Sequence, residues 1–358
     1  MTPWRLGVLA RVACLFSFRT AIALSLLLLL AGCSRPALYE AKVYVFGTLA
    51  DISVWGEDEA LARDTVNAVA ADFQQMHHDW HAWEPGPLVD LNGAIAAGRP
   101  APVLPSIIPL IERSQEIYLL SDGLFNAGIG RLLNLWGFQS SERPSGPPPS
   151  REAIAALLAT QPAMTDLTLK DGVLTSTNPA VQLDFGGIAK GYAVELALQR
   201  MRKAGIENAI VNAGGGLGVI GSHGDRPWRV GIRHPQGQGI LASLEVRDGE
   251  HVHTSGNYER FREHEGLHYA HILDPRSGWP VDSITSCTVI SRDGTLADAA
   301  ATALVIAGRD HWHRLAAKMG IKYVMLVAED GTVYMNPAMA QRVQFSDTQP
   351  HIELGAEL

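Results

Sequence analysis

Cysteine is scarce in this chain, which has three cysteines among 358 residues. Cys14 lies in the N-terminal apolar region, Cys33 follows that region directly, and Cys287 lies far downstream. If the first is removed with a leader and the second is modified, no intramolecular disulfide framework can form in any redox compartment. The fold must then depend on apolar burial, and an apolar content of 47% is enough for one or two cores.

Basic residues are also in deficit, because 29 lysines and arginines face 37 aspartates and glutamates, for a formal charge of −8. Three of these arginines (Arg5, Arg11 and Arg19) precede residue 33, so loss of that segment would leave a more acidic protein. An acidic surface repels phosphate backbones, and nucleic acid is therefore not expected as a partner. The sequence also has no internal repeat of a useful period.

The N-terminal apolar run, Ala21–Leu30, is too short for a typical transmembrane span. It has about half of the roughly 20 residues that a spanning helix needs. Arginines precede it and small residues follow it, an order that predicts a cleaved signal peptide over residues 1–32.

The residues around the predicted cleavage site, Leu30-Ala31-Gly32-Cys33, resemble the bacterial lipobox. We therefore expect diacylglycerol on Cys33, a short tether over residues 33–42, and lipid anchoring at the periplasmic face of a bacterial membrane. Ser34 in the next position favours the outer membrane over the inner one. The alternative is an ordinary cleaved signal in which the cysteine is incidental.

Apolar spacing indicates a mixed α+β chain. Two strands, Val43–Phe46 and Asp51–Trp55, are expected to pair around a turn at Gly47, and helical spacing follows over Glu59–Trp80. The Pro- and Ser-rich segment 140–150 is predicted to be a loop and a candidate boundary between two lobes. Further strands are expected at 173–176, 181–185, 209–211, 230–232, 287–290 and 323–327. Further helices are expected at 105–120, 151–159, 188–204, 297–307 and 311–319.

A glycine pattern over Gly216–Gly221 matches G-x-G-x-x-G and follows the strand-like segment 209–212. A dinucleotide-binding Rossmann unit would require a helix that opens on these glycines and faces the pyrophosphate. The next residues, Ser222–Pro227, cannot continue a helix. We therefore predict a glycine-rich strand and turn at which two backbones approach closely.

The segment Asp184–Tyr192 has the pattern of a strand end, a Gly-Gly turn and a helix start. Such a turn can direct backbone groups and Lys190 at a phosphate or a metal. Strand-turn-helix junctions are common, however, and a lysine at one is usually solvated. The pattern alone leaves both interpretations open.

Asp298 and Thr302 lie four residues apart in a strong helical pattern, so their side chains should project from one helix face. Two hard oxygen donors in this arrangement suit magnesium, which takes few protein ligands and leaves room for substrate phosphates. The alternative is an aspartate favoured by the helix dipole and a threonine that bonds back to a carbonyl.

Two downstream segments, Thr254–Arg260 and Tyr269–Pro280, combine hydroxyls, a histidine, an aspartate and arginines with turn-forming residues. Loops this rich in reactive groups more often serve a site than a core, although Asp-Pro-Arg-Ser-Gly is also an ordinary turn sequence. His77 and His81 have zinc-ligand spacing, but no third ligand is evident nearby, so a polar helix end is the preferred interpretation.

Taken in order, these segments resemble the FAD:protein FMN transferase family, the ApbE-like flavin transferases. The similarity runs from about Val43 to about Met335. It implies a two-lobed α+β flavin transferase fold that is not a Rossmann fold, with a catalytic domain over 43–345 and a C-terminal tail over 346–358. The matching segments are Gly47-Thr48, Ser121–Asn126, Leu135–Phe138, Asp184–Tyr192, Thr254–Gly256, His271–Pro280 and Ala297–Thr302.

The resemblance implies Mg²⁺-dependent transfer of FMN from FAD to a threonine or serine hydroxyl of an extracytoplasmic redox protein, with release of AMP. Two alternatives remain open. One is hydrolysis of FAD to FMN and AMP by the same metal site, with water as the acceptor. The other is a lipoprotein that holds flavin without turnover.

The family's metal ligands correspond here to Asp298, Thr302 and the backbone carbonyl of Gly187. Asp184 and Lys190 are implied to hold the flavin nucleotide. The residues implied to line the flavin pocket are Leu124, Phe125 and Asn126.

His271 is the candidate general base, because an imidazole titrates near neutral pH whereas the available carboxylates normally do not. This role is carried over by analogy. The alternative is a structural histidine that is hydrogen-bonded within its loop.

The chain departs from the family's pattern at four of these positions. Phe46 stands where a methionine is typical, and Trp83 stands where a tyrosine often stacks on the flavin; both rings can still stack. Asn126 and Gly216 each replace an aspartate, so each removes a negative charge from the expected site.

Overall fold

A computed structural model describes residues 38–346 and 350–358 of the chain. The predicted signal peptide and the predicted lipidation at Cys33 lie outside these residues. The predicted tether, 33–42, is wrong for residues 38–42, which form strand and pair with residues 51–55. The predicted C-terminal tail, 346–358, is wrong for residues 352–354, which pair with residues 333–335. Within them, the helices are α1 (Glu59–Trp80), α2 (Pro87–Ala96), α3 (Ile108–Leu120), α4 (Gly130–Leu135), α5 (Arg151–Leu158), α6 (Ala189–Lys203), α7 (Gly294–Lys318) and α8 (Pro337–Ala340). A 3₁₀ turn covers Met164–Asp166.

The strands of the described residues have between two and eight residues. They are β1 (Leu38–Val45), β2 (Thr48–Trp55), β3 (Ala101–Pro102), β4 (Leu167–Lys170), β5 (Val173–Ser176), β6 (Ala209–Ala213), β7 (Gly216–Ile220), β8 (Trp228–Arg233), β9 (Ile240–Val246), β10 (His251–Gly256), β11 (Phe261–His264), β12 (Leu267–Ala270), β13 (Ile284–Ser291), β14 (Tyr323–Ala328), β15 (Val333–Met335), β16 (Val343–Phe345) and β17 (Ile352–Leu354).

A nine-stranded sheet in the order β1-β2-β6-β7-β10-β13-β14-β15-β17 forms the centre of the fold. Its neighbours pair antiparallel except β15 and β17, which are parallel. Two three-stranded sheets, β16-β9-β8 and β3-β5-β4, and the hairpin β11-β12 complete the β structure. The predicted α+β class is confirmed, because a Rossmann fold requires a mostly parallel sheet with crossover helices.

The central sheet is buried on both faces. Helices α1, α6 and α7 cover one face, where they pack with Val211 and Val289 in the main core. The sheet β16-β9-β8 covers the other face, where Ile210 and Ile290 pack in a second core. Adjacent residues of one strand thus enter different cores, as the alternation of side chains along a strand requires. Each fully buried aliphatic side chain contributes roughly 1.5–3 kcal/mol to this arrangement.

The hairpin predicted around Gly47 is present, since β1 and β2 pair residue by residue from Leu38 with Trp55 to Val45 with Thr48. Phe46 (φ 54°) and Gly47 (φ 69°) are both in the left-handed region. Two such residues between antiparallel strands are the requirement of a type I′ turn. The turn holds Phe46 at the end of the sheet beside α1.

Helix α1 has the predicted bounds, and Asp58 caps its start by accepting hydrogen bonds from the backbone N–H groups of residues 60 and 61. The two helices predicted at 297–307 and 311–319 form one element, α7, which is interrupted at Gly308 (φ 70°, ψ 179°). Segment 140–150 has no helix or strand. Its status as a lobe boundary stays a prediction.

The strand predicted at 181–185 is wrong. The segment is extended but has a single bridge, between Ile129 and Gln182. The N–H groups of Gln182 and Asp184 donate to backbone carbonyls of the segment 127–128. On the opposite edge, the Asn92 side chain donates to the Leu183 carbonyl and accepts from the Leu183 N–H over 2.9 and 2.7 Å. On this edge, a buried amide side chain thus takes the place of a partner strand.

The glycine pattern at 216–221 forms strand β7 and the turn after it, and no helix begins there. At Gly221 a Cβ atom would lie 2.2 Å from the carbonyl oxygen of Glu207, which confirms the predicted close approach of two backbones. Among the described residues, no helix combines the length and the hydrophobicity that a bilayer crossing needs.

Candidate functional site

The Gly-Gly turn and the start of α6 lie directly against α7. The backbone N–H of Gly191 donates to Asp298 Oδ2 over 2.9 Å. A Cβ atom on Gly191 would lie 2.3 Å from the carbonyl oxygen of Gly294, so only glycine permits this helix contact. The two segments that were expected to hold a cation are therefore adjacent.

Thr302 lies four residues beyond Asp298 on the same face of α7, and it also faces the Gly186-Gly187 turn. Its Oγ1 is 3.5 Å from the position of a Cβ on Gly187 and 3.0 Å from Ser255 Oγ. Its contact with the Asp298 carbonyl is longer, at 3.5 Å, so back-bonding to the helix is not its main interaction. The hydroxyl thus points toward the turn rather than only into its own helix.

Asp298 and Thr302 bring a carboxylate and a hydroxyl to the Gly187 turn, and with a backbone carbonyl such oxygen donors could hold a hard divalent cation such as Mg²⁺. Elsewhere in the described residues, and here, no three His, Cys, Asp or Glu side chains converge to hold a metal. A cation at this point would therefore take one carboxylate, hydroxyl and carbonyl oxygens, and oxygens from a substrate.

The carboxyl group of Asp298 is 6% exposed but remains ionised. Burial alone would raise its pKa, but the charge of Lys190 and contacts with His253 and the Gly191 N–H together lower the pKa to about 2. An anion held in this way is ready to bind a cation without first losing a proton.

Asp184 and Lys190 flank the turn, as expected. Asp184 accepts from the Gly186 N–H over 2.9 Å and from Gln139 Nε2 over 2.8 Å. Lys190 Nζ donates to the Gly186 carbonyl over 3.2 Å. The ammonium group lies close enough to lower the pKa values of both Asp298 and His271. It is therefore a cation that both groups share.

His271 is held in one orientation by its Nδ1 atom, which lies 3.0 Å from the Arg260 carbonyl oxygen. Because a carbonyl can only accept, Nδ1 carries the proton and Nε2 is the acceptor. Burial lowers the pKa of His271 to about 4, with smaller lowering contributions from Lys190 and Arg260 and an opposing one from the carbonyl bond. The ring is therefore neutral at physiological pH.

A row of aromatic rings connects the β1-β2 turn with the site. Phe46 contacts His77 at a centroid distance of 5.9 Å, His77 contacts His81 at 5.0 Å, and His81 contacts Trp83 at 4.4 Å. The guanidinium carbon of Arg260 lies 5.7 Å from the Trp83 ring centroid. The predicted stacking residues Phe46 and Trp83 thus belong to one wall, and Arg260 joins that wall to His271.

The segment 124–126 has a divided role. Phe125 reaches the turn, with its Cε2 atom 3.3 Å from the position of a Cβ on Gly187. Leu124 is buried in the main core. Asn126 donates to the Pro162 carbonyl over 2.8 Å and accepts from the Gly128 N–H over 2.9 Å. These backbone bonds occupy the amide, and its contact with a cofactor stays a prediction.

The histidine pair considered for zinc has a structural role at the end of α1. His81 Nδ1 accepts from the backbone N–H of Glu84 over 3.0 Å. No third ligand approaches His77 and His81 in the part of the chain that the structure describes. The preferred interpretation, a polar helix end, accounts for these contacts.

The ApbE family model matches residues 46–325 of the chain. The chain belongs to the ApbE family. A Rhodobacter capsulatus protein named FAD:protein FMN transferase is 44% identical over 333 residues, which are 92% of this chain and 64% of that protein. The chain therefore spans less than two thirds of that relative's length.

Two solved structures have the same fold. The ApbE protein of Thermotoga maritima superposes with a TM-score of 0.78 at 31% identity, covering 86% of this chain and 99% of that one. The flavinyl transferase ApbE of Pseudomonas stutzeri superposes with a TM-score of 0.75 at 28% identity, covering 86% and 97%. The predicted ApbE-like fold is confirmed.

Some residues of this ApbE family site were not predicted. Ser255 and Arg260 lie in the segment 254–260, whose composition did indicate a site. His253 had no such signal, because its position beside Asp298 depends on how β10 pairs with its neighbours. Gln139 likewise reaches Asp184 across 45 positions of sequence.

Proposed function

We propose that this chain is an FAD:protein FMN transferase, which transfers the FMN half of FAD to a threonine or serine hydroxyl of a redox protein and releases AMP. The observation that carries this proposal is the meeting of Asp298 and Thr302 with the Gly187 turn, beside Lys190. The names of the relatives described above support the same activity.

Asp298, Thr302 and the Gly187 carbonyl would hold Mg²⁺, and the bound ion would neutralise charge on the two phosphates of FAD. Lys190 adds a second positive charge to the same space. Phosphoryl transfer depends mainly on positioning and charge stabilisation, so these residues supply what the reaction needs.

His271 is proposed to accept the proton of the acceptor hydroxyl at Nε2. The hydroxyl oxygen then forms a bond to the phosphorus atom of the FMN half, while the bond from that phosphorus to the bridging oxygen breaks and AMP leaves with the electron pair. The Arg260 carbonyl fixes the ring through Nδ1, and a neutral imidazole can accept a proton without a preceding ionisation.

The isoalloxazine ring of FAD is proposed to bind against Trp83 and Phe46, with Phe125 and Leu124 on the inner side. Asp184 and Asn126 would contact polar atoms of the flavin nucleotide. Flat aromatic side chains give such a ring a large contact area at low entropic cost. The Trp83 indole N–H is buried without a partner among the described residues, so a ligand that reached it would supply a missing hydrogen bond.

The protein is proposed to act outside the cytoplasm, anchored by lipid on Cys33, more specifically at the periplasmic face of an outer membrane. The lipobox-like residues before Cys33 support this location. The residues between Cys33 and the start of β1 at Leu38 would link the catalytic domain to the lipid and let it reach an acceptor protein near the membrane.

The decisive experiment combines purified enzyme, FAD, Mg²⁺ and a purified acceptor protein, and measures the mass of the acceptor. We expect a gain of one FMN on one threonine or serine, lost on replacing that residue by valine or alanine or on adding EDTA. An unmodified acceptor contradicts the proposal. FAD loss at a rate that the acceptor does not change would indicate a hydrolase, and bound FAD with no AMP released would indicate a flavin-holding protein.

A further inference from the structure

Strand β10 and helix α7 run side by side with matched spacing. Two residues along a strand advance about 6.6 Å and four residues along a helix advance about 6 Å, so successive side chains stay opposite each other. The facing pairs are His251 with Gly294, His253 with Asp298, and Ser255 with Thr302. Both proposed metal-ligating side chains of α7 therefore have a partner on β10.

His253 lies over a glycine of the neighbouring strand. In the register of β7 and β10, His253 is opposite Gly216. A Cβ atom on Gly216 would lie 2.5 Å from Nδ1 and 2.6 Å from Cε1 of this ring. The φ angle of Gly216 is not in the left-handed region, so the glycine is required for space and not for backbone conformation.

The imidazole of His253 is 1% exposed, and neither ring nitrogen has a hydrogen-bond partner among the described residues. Buried polar atoms without partners are rare because they lose their bonds to water. Nδ1 lies 3.5 Å from Asp298 Oδ1, an ion-pair distance that is longer than an ordinary hydrogen bond. The other carboxylate oxygen already accepts from the Gly191 N–H.

We propose that His253 is a positioning residue for Asp298, and that Gly216 is its required structural partner. The Gly191 N–H and the His253 ring hold the two carboxylate oxygens from different sides, which fixes the plane in which the group meets a cation. Loss of a group that orients a metal ligand in this way typically lowers metal affinity by about 10- to 100-fold. This inference rests on the proposed function, because it assumes that Asp298 binds the cation.

The glycine at position 216 gains a physical meaning from this contact. A side chain at position 216 would begin in the space that the imidazole fills. The His253 imidazole therefore fits here only because residue 216 has no side chain. The glycine and the buried histidine are thus two parts of one local arrangement.

The test measures Mn²⁺ binding to the purified protein by electron paramagnetic resonance, with Mn²⁺ as the probe for the divalent site. His253→Asn keeps an N–H donor near the position of Nδ1, whereas His253→Leu has a similar volume and no donor. We expect His253→Leu to weaken Mn²⁺ binding by about 10- to 100-fold and His253→Asn to retain affinity close to the wild type. A residue that merely fills space would tolerate leucine at least as well as asparagine.

His251→Leu is the matched control, because His251 is also buried on the same strand but faces Gly294, which has no carboxylate. We expect its Mn²⁺ affinity to equal that of the wild type. Gly216→Ala should weaken binding by displacing the ring, and adding His253→Ala to it should give the affinity of His253→Ala alone. Thermal unfolding of each variant identifies any that fail to fold.

Equal affinities of the wild type and His253→Leu would overturn the proposal, as would equal losses in His253→Leu and His253→Asn. A wild-type preference for Zn²⁺ over Mn²⁺ that both variants lose would show His253 to be a ligand itself, which also overturns a positioning role. FMN transfer by the wild type, measured in parallel, separates the two proposals. Transfer with unchanged variant affinities rejects only the role of His253, whereas a wild type that neither binds Mn²⁺ nor transfers FMN rejects both.

Discussion

The Gly191 N–H and Asp298 Oδ2 are joined by a 2.9 Å hydrogen bond that links the first turn of α6 to α7. The bond exists because neither glycine at the crossing, Gly191 or Gly294, carries a side chain. The same contact that packs two helices thus also orients the carboxylate of the site. Packing and function can be tested together at this point.

Gly191→Ala should destabilise the protein and lower its activity. The added methyl group would lie 2.3 Å from the Gly294 carbonyl oxygen, and overpacking of this kind costs about 1–3 kcal/mol. Gly93→Ala is the control, because Gly93 is also helical but has nothing within 4 Å of its Cβ position. Chemical denaturation should show the first variant to be less stable and the second to be unchanged or more stable. Equal stabilities would contradict the close helix contact.

Thr302→Val should reduce the transfer rate by about 10-fold or more, whereas Thr302→Ser should retain most of it. Valine keeps the shape but removes the oxygen donor, and each tenfold loss in rate corresponds to about 1.4 kcal/mol of lost transition-state stabilisation. The rate should be measured over a range of Mg²⁺ concentrations. If Thr302 is a ligand, excess Mg²⁺ will partly restore the valine variant. Equal rates for valine and serine would exclude the hydroxyl from the site.

His271→Ala should lower the transfer rate by about 10²–10⁴-fold, the usual contribution of a general base. His268→Ala serves as the control, since His268 lies in the preceding strand with a side chain that is 60% exposed. Mass spectrometry of the acceptor at fixed times measures both rates. A His271 variant as active as the control would assign this histidine a purely structural role.

The pH dependence of transfer should also report on His271. Its pKa in the folded protein is about 4, below the ordinary 6.5, so the base stays neutral as pH falls through 6.5. The single-turnover rate should therefore hold from pH 8 to about 5 and fall only as pH approaches 4. A decline centred near pH 6.5 would show that the ring is not buried as described. The same lowered pKa means that protonation below pH 6.5 favours the unfolded chain.

Trp83→Leu should weaken FAD binding by about 3- to 10-fold and Trp83→Phe by less, since an aromatic contact contributes about 0.5–1.5 kcal/mol beyond its area. Quenching of FAD fluorescence on titration with protein measures the affinity. Trp279→Leu is a comparison, because that ring packs on Trp136 in a separate cluster. Identical FAD affinities for wild type and Trp83→Leu would place the flavin elsewhere.

Features set by local sequence were predicted correctly. Helix α1 begins at its Asp58 cap and ends where its apolar spacing ends, and the spacing of Asp298 and Thr302 placed both on one helix face. The turn at Gly47 followed from the glycine itself. In each case, the residues that determine the local structure are close together in sequence, so their spacing is enough to predict it.

Features set by pairing between distant segments were not predicted. The apolar residues 181–185 looked like a strand, but Asn92 satisfies the backbone of Leu183 in place of a partner strand. His253 reaches Asp298 only because β10 pairs with β7 on one side and packs against α7 on the other. Register between distant segments depends on tertiary packing, which spacing along one segment does not encode.

The 2.5 Å distance between the His253 ring and a Cβ on Gly216 also restricts the order in which these two positions can change over evolutionary time. Any larger residue at 216 displaces the ring, so the histidine must be replaced by a smaller residue before the glycine can be replaced at all. A substitution at 216 that comes first is therefore expected to displace His253 and to damage the site.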